Sequence, residues 1–197
     1  MKTIIKLSTI LICLLITNTL MAQEYRKNPF IDQFVGTWEG SSGGETFRIV
    51  ISKHKLDMTD DEPDEPKEYA DKIVGWHSYT KNNQVVESST DKSKPIFLTW
   101  ENAHDNSTLI GGIKVSDTKV WFNFHDLTKN KRCKATIEMV AGKTDELRWT
   151  LEDKERANVI VDGVPSSPPV PEGFTVPTNL ILKKKSTPVP RPPDRIF

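Results

Sequence analysis

From Tyr25 onward the chain is written in short runs whose apolar residues recur at every second position, and no other feature limits its fold as tightly. A period of two sends successive side chains to opposite faces of a strand, so each run has one face for a core and one for water. In residues 45–51 that dry face is Phe47, Ile49 and Ile51; in 119–124 it is Val120, Phe122 and Phe124. Leu147, Trp149 and Leu151 alternate with Arg148 and Thr150, and Ala135, Ile137 and Met139 alternate with Thr136 and Glu138. Trp121 falls out of phase with Val120, Phe122 and Phe124, so it faces outward when they face the core, either under the N-terminal segment or on a binding surface.

The punctuation between runs fits hairpins. Ser41-Ser42-Gly43-Gly44, Asn82-Asn83 and Asp117 supply residues that tolerate the left-handed backbone of tight turns. Strands are predicted near 34–40, 45–54, 72–80, 84–89, 96–101, 107–115, 119–125, 133–140, 146–152 and 178–184, about eight to ten in all, with no amphipathic helix between them. The five tryptophans, Trp38, Trp76, Trp100, Trp121 and Trp149, all fall in these segments. One-sided strands in this number bury their dry faces best as an all-β, antiparallel up-and-down β-barrel; a two-sheet β-sandwich is the alternative. Two stretches break the pattern: an acidic loop over 57–71, and a proline-bearing region over 153–177 that reads as a long ordered loop.

The N-terminus reads as a cleavable signal peptide. Lys2 and Lys6 precede the apolar run Ile10 to Ile16, too short to span a bilayer, and small Ala22 suits the position before the scissile bond, leaving Gln23 as the first mature residue. The expected organisation is a signal peptide over 1–22, one β-barrel domain over 23–185 and a proline-rich tail over 186–197, in a secreted or periplasmic protein without a transmembrane segment after cleavage. Cys133 is the one cysteine left after cleavage, so no internal disulfide forms, and a small residue within a strand accounts for it.

Composition and motifs exclude more than they propose. The chain carries 27 basic and 27 acidic residues, and losing Lys2 and Lys6 tips it slightly acidic, which argues against a nucleic-acid partner. His54, His77, His104 and His125 lack metal-ligand spacing and read as scattered surface or strand-edge residues, so no metal site is expected. The acidic loop lacks the turn glycine of a calcium-binding EF-hand, and neither a G-x-S-x-G elbow nor a Gly-rich phosphate loop is present. The expectation is a non-enzyme without cofactors.

At Phe34-Val35-Gly36-Thr37-Trp38-Glu39-Gly40 the sequence resembles the opening of the calycin superfamily, lipocalins above all, where a turn leads into a G-x-W on the first barrel strand. The resemblance implies that Gly36 eases a tight entry and Trp38 closes the barrel's bottom, with residues 28–33 as the preceding turn. From about residue 25 to Lys184 the chain is also similar to an uncharacterised family of small secreted Bacteroidota proteins. Phe34-Val35-Gly36-Thr37-Trp38, Gly75-Trp76-His77 with Asn82 following, residues 147–152 and residues 176–183 carry that likeness. It implies export and a common β fold, and no site residues.

The function expected from these readings is binding of a small apolar or amphipathic ligand inside the barrel, against Phe47, Ile49, Phe122, Phe124 and Trp149. The alternative is a non-catalytic interaction module, packed solid, working through its surface at Trp121, the acidic loop or the tail. An open apolar cavity marks the first; a filled interior beside an exposed aromatic patch marks the second.

Overall fold

The computed structural model of the chain describes residues 24–59, 67–92, 99–153, 160–161, 164–165 and 171–186. The strands are β1 (Glu24–Arg26), β2 (Gly36–Ser42), β3 (Glu45–Asp57), β4 (Glu68–Lys81), β5 (Gln84–Ser88), β6 (Leu109–Ser116), β7 (Lys119–Asp126), β8 (Lys131–Met139), β9 (Glu146–Glu152), β10 (Ile160–Val161), β11 (Val164–Pro165) and β12 (Asn179–Lys185). β2, β3, β4, β6, β7, β8, β9 and β12 run up and down in chain order, each antiparallel to its neighbours. The ring shuts where β12 meets β2, with Lys185 opposite Thr37, making a closed eight-stranded barrel. β10 and β11 form a separate small hairpin within the region read as loop. No helix among the described residues is long and apolar enough to cross a membrane.

β3 and β4 are longer than the barrel needs. They pair from Glu45↔Lys81 to Asp57↔Tyr69, whereas β2 covers only residues 45–51 of β3 and β6 only 73–75 of β4. The surplus projects below the barrel as a ribbon, and β1 lies parallel to its edge, Glu24 beside Glu68 and Arg26 beside Ala70. Asp71 fastens this N-terminal segment, accepting hydrogen bonds from Tyr25 Oη at 2.7 Å and the Asn28 amide at 2.9 Å. Burial, reinforced by the carboxylate beside it, pushes the Tyr25 phenol up to about 12.

One expectation is corrected on the outer wall. Of the strand expected over 96–101, only 99–101 are described, and there a helix α1 (Trp100–Asn106) follows Thr99, whose hydroxyl caps it by accepting from the Asn102 amide. The reason lies in β3, β4 and β6: Leu56, Val74, Trp76 and Ile110 point away from the barrel axis and form a second apolar cluster with Ala103 of the helix. A sheet covered on both faces is apolar on both, which is why residues 73–77 do not alternate cleanly. Trp100 is therefore helical, while Trp76 Nε1 donates to the carbonyl of Asn106 at 3.1 Å.

At the lower end, a 3-10 turn (Pro29–Phe34) replaces the simple turn expected before β2 and drops Ile31 and Phe34, both fully buried, into the barrel. Trp38 Nε1 donates to the Phe34 carbonyl at 2.8 Å, and Lys184 from the last strand lies over the indole, its Nζ 5.0 Å from the ring centre. This explains the glycine of G-x-W: a Cβ on Gly36 would sit 2.9 Å from Cε of Lys184, and its φ of +141° suits glycine alone.

Candidate functional site

The five residues expected to line a ligand cavity all lie inside the barrel, each fully buried. They meet one another there. The Trp149 indole is the hub, with ring centres 5.0 Å from Phe47, 5.4 Å from Phe124 and 6.1 Å from Phe122. His77 continues the chain at 4.8 Å from Phe124 and 6.0 Å from Phe47. Aromatic rings at 4.5–7 Å are in direct contact, so these side chains pack on one another inside the barrel.

His77 itself corrects the expectation of surface histidines. It is fully buried, and His54 is buried against the Trp76 ring. His77 Nδ1 lies 2.9 Å from Thr108 Oγ1, which is 3.0 Å from Ser89 Oγ, and His77 Nε2 lies 2.6 Å from Glu87 Oε1. Glu87 also accepts from the amides of Leu127 and Thr128 and from the Thr128 hydroxyl, at 2.7 to 3.0 Å. Burial alone would raise this carboxyl; the hydrogen bonds from His77 and Thr128 and from the two amides outweigh it and bring the value down to about 2.

Hydroxyl, imidazole and carboxylate in this order resemble a hydrolytic triad, but the chemistry of one is missing. Ser89 and His77 are fully buried, Thr108 and Glu87 nearly so, and both Glu87 oxygens already serve the β7–β8 turn. The cluster is a polar strut tying β5, β4 and that turn together.

The upper end is closed by a strap, residues 171–177. Asp126 accepts from the Thr175 amide at 2.7 Å and from the Lys129 amide at 3.0 Å. Buried Lys131 donates to the carbonyls of Pro171 and Gly173, both at 2.9 Å, pairs with Asp153 at 2.5 Å and lies 4.5 Å from the Phe174 ring centre. Trp149 Nε1 donates to the Pro177 carbonyl at 2.8 Å, and Val176 is buried beneath. Between the strap's end and the β2–β3 turn runs a cleft of about 400 Å³ lined by Ser42, Glu45, Phe47, Pro177, Asn179 and Leu180.

Trp121 is half-buried on the outer wall, opposite Ile113 on β6 and Thr136 on β8. Ile113, its partner across the ladder, and Val115, at a register shift further along β6, each leave about half of their surface exposed. Cys133 is buried, its Sγ 3.6 Å from the Phe124 carbonyl, as a small strand residue. Among the described residues no three His, Cys, Asp or Glu side chains gather as metal ligands. The proposed cleavage pair Ala22 and Gln23, most of the acidic run (60–66) and the tail beyond Ser186 lie outside the described residues.

No motif marks Glu87, Thr108, Asp126 or Lys131 as partners. They meet their contacts across ten to more than forty residues of chain, and no spacing rule joins them.

No curated protein and no solved structure matches the chain significantly. The sequence profile of a family of unknown function, DUF6705, matches residues 1–185, and the chain belongs to that family.

Proposed function

We propose that this chain is an exported, non-catalytic β-barrel module that acts through its outer wall, with Trp121, Ile113 and Val115 meeting an apolar surface of a partner protein. The observation that supports this reading lies inside the barrel, where Trp149 contacts Phe47, Phe122 and Phe124, so the side chains expected to line a ligand pack on one another. The half-exposed Ile113 opposite Trp121, with half-exposed Val115 further along the same strand, supplies apolar surface of the kind that partners cover. Export rests on the basic start, the apolar run from Ile10 to Ile16 and the small residue Ala22.

The cleft beside Pro177 and Asn179 favours a second reading, in which a small amphipathic molecule sits at the barrel's mouth rather than along its axis. One substitution tests the choice. In a packed axis Phe122→Ala costs about 3–5 kcal/mol in denaturant unfolding, and the parent protein takes up no apolar fluorescent probe. A cost below about 2 kcal/mol together with probe uptake returns the protein to a ligand carrier.

A further inference from the structure

A cleft of about 360 Å³ opens on the outer wall of the barrel, lined by Thr37, Arg48, Val50, Thr90 and Lys185. Register explains why they meet. Lys185 on β12 lies opposite Thr37 on β2, and Thr37 lies opposite Val50 on β3, so these three stand side by side across neighbouring strands. Trp38, Ile49 and Ile51 are buried inside the barrel, so their chain neighbours Thr37, Arg48 and Val50 point out of it. Thr90 comes from a 3-10 turn (Thr90–Lys92) that follows β5, its Oγ1 3.1 Å from Ser88 Oγ.

Arg48 and Lys185 reach the cleft from the strands on either side of β2, and they share one carboxylate. Glu39 Oε2 accepts from Arg48 Nε at 2.8 Å and Nη2 at 2.5 Å, and Glu39 Oε1 pairs with Lys185 Nζ at 2.6 Å. Burial alone would raise the Glu39 carboxyl; the hydrogen bonds from Lys185 and Arg48 outweigh it and hold it below its ordinary value, so it stays charged. One carboxylate cannot cancel two cations, and the group keeps one positive charge in excess. Its neighbours leave that excess in place: Lys183, opposite Glu39 on β12, pairs with Glu146 at 3.5 Å, and Asp91, next to Thr90 in the chain, is exposed and does not line the cleft. The Arg48 and Lys185 side chains remain 50% and 46% exposed, and between them they carry more N–H donors than the two Glu39 oxygens engage.

We propose that this cleft binds a small organic anion, its carboxylate head between Arg48 and Lys185 and its short apolar stem on Val50 and the methyl groups of Thr37 and Thr90. The guanidinium fork matches a carboxylate, and the lysine adds a second charge from the opposite strand. The volume falls within the roughly 300–1,000 Å³ of small-molecule sites, more room than a bare inorganic ion fills, and Val50 gives the stem an aliphatic surface out of water. The cleft shares no residue with the Trp121 wall or with the cleft beside Pro177, so it stands or falls independently of both.

Titration of the isotope-labelled full chain with sodium hexanoate should saturate in the millimolar range, moving the amide signals of Thr37, Val50 and Thr90 and leaving those of Trp121 and Asn179 in place. Hexanol, which lacks the charge, and inorganic phosphate, which lacks the stem, should each bind at least about tenfold more weakly. Arg48→Gln and Lys185→Gln should each weaken hexanoate about tenfold, whereas Glu39→Gln, which frees both cations, should tighten it several-fold. A purely structural ion cluster does not give that opposite sign. No saturable shift at Thr37, Val50 and Thr90 in the parent chain overturns the site, as does a Glu39→Gln variant that binds no more tightly or an Arg48→Gln variant that binds as well as the parent. Hexanol or phosphate binding as tightly as hexanoate overturns the organic anion as its occupant.

Discussion

The two ends of the barrel are shut by opposite chemistry. Below, the closure is apolar: Ile31, Phe34 and Trp38 fill the opening, and one lysine, Lys184, covers the indole from outside. Above, the closure is polar and partly ionic: Glu87, Asp126 and Lys131 are all buried and grip the backbone of the β7–β8 turn and of the strap. An apolar plug is non-directional and indifferent to proton concentration. A carboxylate among amides works only while charged and correctly placed, because burial makes every unmet group costly. The lower end should thus fail by loss of volume, and the upper end by loss of charge.

The largest effect should come from the lower end, where Trp38→Ala removes a fully buried indole and its bond to Phe34, costing about 3–5 kcal/mol by denaturant unfolding at any pH from about 4 to 8. Next comes the upper end. The Glu87 carboxyl in the folded state sits near 2 against an ordinary value of 4.5. Its contribution is therefore complete above pH 4.5 and is lost as the pH falls toward 2, amounting to about 3 kcal/mol from the shift alone. Glu87→Gln should lose a comparable amount at neutral pH and flatten the stability profile between pH 4.5 and 2, whereas Trp38→Ala keeps that slope. If the two variants show the same acid dependence, the contrast between the ends is wrong.

Smaller effects sharpen the same contrast. Lys131→Met removes the donor shared by Pro171 and Gly173, so global stability should fall by only about 1–2 kcal/mol, because those carbonyls lie near solvent. Amide exchange at Thr175 should quicken well beyond that of the barrel strands. The smallest change is expected for Lys184→Gln, which keeps Trp38 buried and removes only the cation over it; its thermal midpoint should move by about a degree or two.

Much of this architecture was readable in advance, and the limit of the reading is physical. Phe47, Ile49, Val120, Phe122, Leu147 and Trp149 face inward because strand period is local information, carried by each run independently of its neighbours. Helix α1 was missed because it is one short element with a single fully apolar residue, Ala103, turned to the sheet, too brief for a helical period to show. Trp100 beside β-branched Thr99 looked like strand, and only the bare apolar wall of Val74, Trp76 and Ile110 calls for a cover. The polar strut was invisible for another reason: His77 finds its partners only after the barrel has closed, so its role is set by topology and not by any neighbour in sequence. Lys184 over Trp38 likewise joins the last barrel strand to the first.

That join has a consequence in time. β2 can complete its outer ladder only against β12, the last strand of the barrel, so the ring cannot shut before residues 183–185 are in place. Until Lys183–Lys185 arrive, β2 and β9 each wait with an open side. Contacts so far apart in sequence make folding slow relative to local structure. A barrel closed by its final strand stays unfinished until that strand has joined the first.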